Sequence, residues 1–195
     1  AEQNPDRSAF VMAATGERVS YQEFEARSNR VAHYLADKGL GSQDHYSIFM
    51  ENNNRYLESC AAGERSGLYF TCINSFLTSD ELAYIINNSE SQILITSMSK
   101  LEAAQEALAQ CTAIKEVLVV GAGDGNLPEG MSDFASTLSK YPETPLEREL
   151  LGAAMLYSSG TTGRPKGIVR PLPEQSPNEP LPVIGFLSGL WRSRE

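Results

Sequence analysis

The chain has 195 residues, 41% of them hydrophobic and 21% charged, a balance that fits a folded globular protein and excludes a wholly disordered or collagen-like one. Its formal charge of −9, with no dominant lysine–arginine run, lacks the electrostatic footprint of a duplex-binding protein, so nucleic acid is not expected as a partner. The opening AEQNPDRSAF has neither a basic start nor an apolar core, and no apolar run approaches ~18 residues, so neither a signal peptide nor a membrane span is expected.

Two short β-prone runs around Thr15-Gly16 predict a hairpin at the start. Ser20 and Glu23 then form a capping box, and Tyr21, Phe24, Ser28, Val31 and Leu35 recur at three- and four-residue spacing until Gly39 supplies a stop. That pattern predicts an amphipathic helix. Short apolar strands and helices alternate after it: YSIFM from Tyr46, a helix from Tyr56 to Gly67, LYFTCI from Leu68, and a helix opened by a second capping box, Thr78 with Glu81. QILIT from Gln92, a helix from Ser99 to Gln110, EVLVV from Glu116 and AAMLY from Ala153 complete the series. Strands apolar on consecutive residues are expected where helices cover both faces, so the fold class predicted is α/β, with a mostly parallel sheet. Ligands of such sheets bind at the carboxyl ends of the strands, where the loop after Tyr157 would lie.

Three regions are expected: a hairpin and helix over 1–45, a parallel α/β unit over 46–170, and a proline-rich connection with an apolar tail over 171–195. The apolar run from Val183 to Trp191 suggests either a core cut short or a surface for a homo-oligomer. Cys60, Cys72 and Cys111 show no C-x-x-C spacing and read as reduced, buried small hydrophobes, which points to a reducing, cytoplasmic setting and to no protein-held metal. Tyr21, Phe24, Tyr34 and Phe49 fall at core positions. His33 and His45 are too isolated for catalysis, and PLERE, from Pro145, reads as a solvated face. GAGDGN, from Gly121, fails as a dinucleotide fingerprint because Asn126 stands at the third glycine position and Pro128 and Gly130 interrupt any helix after it.

The stretch LYSSGTTGRPKGIV, Leu156 to Val169, carries the chemistry. Gly160 and Gly163 let the backbone approach a ligand, and successive N–H groups in such a loop form an anion-binding concavity. Ser158, Ser159, Thr161 and Thr162 add hydroxyl donors, Lys166 adds a positive charge and Pro165 restricts the chain before it. It is not a Walker loop, because Pro165 stands where glycine belongs and Gly167 where the metal-binding hydroxyl belongs. GIVR, which follows, reads as a strand. Composition alone leaves a linker or an ordinary hairpin turn open beside the phosphate cradle.

YSSGTTGRPKG is similar, position by position, to the phosphate-loop signature of the AMP-forming adenylating superfamily, which includes acyl-CoA synthetases, luciferases and peptide-synthetase adenylation domains. VSYQEFEARSNRVAHYLADKGL resembles that family's early helix, and the stretch from Ala61 to Ser97 its following core; the double Thr161-Thr162 and the flank GIVRPLPEQSP look more like fatty acyl-CoA synthetases than peptide-synthetase modules. The resemblance implies the N-terminal portion of the synthetase large domain. It also implies that Ser158, Ser159, Gly160, Thr161, Thr162, Gly163 and Lys166 serve the β- and γ-phosphates of ATP, with Lys166 and Thr161 acting in catalysis. Magnesium is expected with the nucleotide and coenzyme A as co-substrate. The family's later motifs for adenine, ribose and the mobile C-terminal lysine are absent, so the chain is expected to be an N-terminal part, inactive alone. The alternative is a non-catalytic binding or oligomerisation module derived from the same fold.

Overall fold

A computed structural model describes residues 4–123, 125–158 and 164–179, together with Phe186 and Leu190. In chain order its elements are β1 (Ser8–Val11), β2 (Arg18–Ser20), α1 (Tyr21–Asp37), β3 (His45–Phe49), α2 (Tyr56–Ser66), β4 (Tyr69–Cys72), α3 (Ser79–Asn88) and β5 (Ile93–Ser97). There follow α4 (Leu101–Leu108), β6 (Glu116–Val120), β7 (Met131–Asp133), α5 (Phe134–Leu138), β8 (Ala153–Ala154), β9 (Leu156–Ser158) and β10 (Lys166–Ile168).

Six strands form one sheet in the order β7-β6-β5-β3-β4-β8, and every pairing in it is parallel. The consecutive apolar residues of its strands divide between two cores by the two-residue period of a strand. Ile93 and Ile95 of β5 and Leu118 of β6 meet Val31 and Leu35 of α1 and Ala62 of α2. Leu94 of β5, with Val117 and Val119 of β6, meets Leu82 and Ile86 of α3 and Ala104 and Ala107 of α4. Each fully buried leucine or isoleucine contributes roughly 2 kcal/mol, so the double cover accounts for the strands' lack of polar alternation.

Both capping boxes form as the sequence predicts. At α1 the Glu23 N–H donates to Ser20 Oγ at 3.2 Å, and Glu23 Oε2 accepts from the Ser20 N–H at 2.9 Å. At α3, Thr78 and Glu81 make the same reciprocal pair. Gly39, at φ +84°, takes the left-handed conformation that ends α1. Helix α2 lies so close to the sheet that a Cβ on Gly63 would stand 2.6 Å from the Tyr46 hydroxyl and 2.7 Å from the Phe70 ring. A Cβ on Gly152 would collide with backbone atoms of Gly63 and Leu68.

The segment from Tyr141 to Leu150 straps α1 to α2. The Asn29 side chain donates to the Glu143 carbonyl at 2.6 Å, Arg30 pairs with the Glu143 carboxylate at 2.6 Å, and the Tyr141 hydroxyl donates to Asp37 at 2.8 Å. Arg65 of α2 reaches Glu25 of α1 at 2.8 Å, donates to Asn29, and faces Glu149 at 3.7 Å.

Several expectations are corrected. Glu149 of the PLERE stretch is not solvated: its side chain is only 12% exposed, drawn in by Arg65. Tyr21 is exposed, as are Gln22 and Glu23 beside it in the first turn of α1, whereas Tyr34 and Phe49 are buried. The cysteines are not buried: Cys72 is exposed, and Cys60 and Cys111 are half-buried. AAMLY is not one strand. Its first two residues pair in parallel with β4, while Leu156 and Tyr157 leave the sheet for an antiparallel partner, β10. The periodicity also passed over β7 and α5, which are three and five residues long and too short to show a period.

Candidate functional site: a hairpin at the carboxyl end of the sheet

Strand β8 runs parallel to β4, so the chain leaves it toward the carboxyl ends of the strands. There β9 and β10 form an antiparallel pair in which Ser158 stands opposite Lys166, Tyr157 opposite Gly167 and Leu156 opposite Ile168. Gly167 packs closely here: a Cβ would overlap the end of the Met155 side chain, which would have to shift, and stand 3.0 Å from the Tyr157 ring. The glycine-rich loop spans the seven residues between Ser158 and Lys166. Ser159, Gly160, Thr161, Thr162 and Gly163 lie outside the described residues.

Helix α3 holds both arms of this hairpin. The Tyr84 hydroxyl donates to the Pro165 carbonyl at 2.9 Å, and the Tyr157 hydroxyl donates to Asn88 Oδ1 at 2.8 Å. The Arg164 guanidinium lies over the Tyr84 ring, 5.2 Å from its centre. Burial, with Tyr84 nearby, pushes the Tyr157 hydroxyl up to about 12, so it stays protonated and remains a donor. Lys166 is exposed, and among the described residues no carboxylate pairs with it. Its ammonium is therefore available to an anion.

A cavity of about 590 Å³ opens between α3 and the hairpin, with Tyr84, Arg164 and Pro165 on one side and Asp80 and Glu81 on its rim. Its lining thus combines two carboxylates with the Arg164 guanidinium and the Asn87 and Gln110 amides. Among the described residues no group of three or more His, Cys, Asp or Glu side chains could hold a metal.

Where the connections after β3 and β5 depart to opposite faces, the crevice between strand ends holds Glu51. No spacing in the sequence marked this residue. Burial acts to raise its carboxyl, but hydroxyl donors on Ser97 and Ser99, each at 2.5 Å, help hold it below the usual carboxylate range. These bonds tie the β3 and β5 connections together. The histidines also serve structure: His33 bonds the Thr144 carbonyl at 2.9 Å, and His45 stacks on Tyr69 at 4.8 Å.

The family model described as AMP-binding enzyme matches residues 1–172, from before the first hairpin to just beyond β10. This chain belongs to the AMP-binding enzyme family. Across 169 residues it is 31% identical to a 3-oxocholest-4-en-26-oate–CoA ligase of Rhodococcus rhodochrous, a match that covers 85% of this chain and 30% of that protein. Similarity to a long-chain-fatty-acid–CoA ligase of Thermus thermophilus is 29% over 157 residues, 80% of this chain and 28% of the relative. This family member thus spans about 30% of the length of the curated relatives it matches. Its fold superposes on an anthranilate CoA ligase solved in complex with anthranoyl-AMP, with a TM-score of 0.74 at 20% identity, over 85% of this chain and 32% of that one.

Proposed function

We propose that this chain is the N-terminal part of an AMP-forming acyl-CoA synthetase and supplies the loop that binds the phosphates of ATP. The observation that carries the reading is the family match over 1–172 together with the hairpin that sets Ser158 opposite Lys166 at the carboxyl end of the sheet. In the reaction, a carboxylate oxygen of a fatty or other acid attacks the α-phosphorus of ATP. Pyrophosphate leaves, and the acyl adenylate then passes its acyl group to the thiol of coenzyme A, releasing AMP. The Lys166 ammonium and the hydroxyls of Ser158, Ser159, Thr161 and Thr162 orient the β- and γ-phosphates and disperse the charge that builds on the leaving pyrophosphate. Gly160 and Gly163 bring backbone N–H groups to the same oxygens.

Magnesium, bound with the nucleotide, would help neutralise the charge of the triphosphate. Among the described residues no group of three or more His, Cys, Asp or Glu side chains converges to hold it. The same reading gives ATP, a carboxylic acid and coenzyme A as partners and the cytoplasm as the setting. Catalysis needs the remaining length that the relatives have, so this chain alone is expected to make no acyl-CoA.

Acid-dependent exchange of pyrophosphate into ATP by the whole enzyme tests the reading. Lys166→Ala lowers the exchange rate about 100-fold while circular dichroism is unchanged; an unaltered rate would remove Lys166 from the site. Exchange that needs no acid would replace the synthetase with a different nucleotide chemistry. Acyl-CoA formed by the 195-residue chain alone would overturn its inactivity.

A further inference from the structure

Two cysteines that the sequence keeps twelve residues apart are brought into contact by the β3-α2-β4 crossover. Cys60 lies in α2 one turn beyond Tyr56, and Cys72 is the last residue of β4. Their sulfurs stand 3.6 Å apart. A disulfide needs about 2.0 Å, so the sulfurs must approach by about 1.6 Å to bond. We propose that Cys60 and Cys72 form a redox-sensitive dithiol, which hydroperoxides oxidise to an intramolecular disulfide that staples α2 to the end of β4.

The two thiols differ in the way such a pair requires. Cys72 is the more exposed of the two, and its contact with the Cys60 thiol lowers its pKa against the opposing effect of partial burial; the Tyr56 hydroxyl lowers it further. Cys72 is therefore more readily ionised than an ordinary cysteine. Cys60 is half-buried, and its bond to Cys72, its burial and Glu64 all push its thiol upward. The remaining titratable group against the pair is Tyr46 of β3, which burial keeps protonated. Cys72 is thus the attacking thiol and Cys60 the resolving one. Cys111, by contrast, is half-buried on its own, raised by burial, and donates to the Ala107 carbonyl at 3.3 Å.

The chemistry balances in two steps. The Cys72 thiolate attacks one peroxide oxygen, the O–O bond breaks, and the departing hydroxide or alkoxide takes a proton to leave as water or alcohol. Cys72 is left as a sulfenic acid. Cys60 then attacks the sulfenic sulfur, and the displaced hydroxide leaves as water with the Cys60 proton. Two thiols lose two electrons in total, and the peroxide gains them.

The test uses the full chain, reduced and then treated with a slight excess of hydrogen peroxide, followed by alkylation and peptide mass spectrometry. The expected product is a monomer lighter by about 2 Da, the two hydrogens lost, with a Cys60–Cys72 cross-linked peptide, alkylated Cys111 and full reversal by dithiothreitol. The rate should rise with pH up to a plateau above about 7, the value of Cys72. In Cys60→Ser the cross-link disappears and dimedone traps a sulfenic acid on Cys72; Cys60→Ala repeats the measurement if the serine variant loses its circular dichroism. Equal oxidation of Cys111, a disulfide between two chains, or retention of both thiols where free cysteine is oxidised would each overturn the proposal. It does not depend on the adenylation reading, since the readout is covalent and needs no nucleotide.

Discussion

Glu58 shows how one buried side chain sets a pH dependence. It lies on α2 with 1% exposure, and burial raises its carboxyl from 4.5 to about 6, against the pull of Arg55 at 3.3 Å. The folded value exceeds the unfolded one, so the group's stabilising contribution is complete below pH 4.5 and is lost as pH rises through about 6. The shift corresponds to about 2 kcal/mol. Glu58→Gln cannot ionise and escapes that loss. Denaturation at the two ends of the window should therefore show the variant gaining about 2 kcal/mol on the natural protein as pH rises; parallel stability curves would mean that Glu58 stays solvated. Cys72, at the far end of the same crossover, is the opposite case, a group whose thiolate a neighbour favours.

Helix boundaries are set by local chemistry, and that is why they could be read. Ser20 and Glu23 satisfy each other's backbone donors within four residues, so the start of α1 needs no tertiary contact to be specified. Ser20→Ala removes one of those bonds and should cost about 1 kcal/mol, measured by urea denaturation; Ser20→Asp should recover most of it. The central strands were legible for a related reason, because the double helical cover writes itself into their composition. Three things were not legible. The parting of AAMLY between two sheets depends on Lys166–Ile168 returning to meet Leu156–Ser158, a partner that strand propensity does not see. Glu149 looked like one charge among several until the fold brought Arg65 to it, and Cys60 looked unrelated to Cys72 until α2 crossed back over the sheet. At the candidate site the loop composition was plain, whereas the grip of Tyr84 and Asn88 on its arms was not, since both lie on a helix some seventy residues earlier.

At the scale of the molecule, Arg65 is the point where α1, α2 and the strap of residues 141–150 meet. Its side chain is 15% exposed, so truncation leaves Glu25, Asn29 and a largely enclosed Glu149 without a cation. Arg65→Ala should therefore cost about 3 kcal/mol and speed hydrogen exchange in both α1 and the strap; loss of protection in α2 alone would show the strap to be held by Asn29 and Arg30 instead. The glycine-rich hairpin is held very differently. It stands off the edge of the main sheet, with one arm bonded to Tyr84 and the other to Asn88, residues one helical turn apart on α3. Two anchorages on a single rod remove the swing that either alone would permit. Both arms therefore take their position from α3, a helix that shares no strand with them.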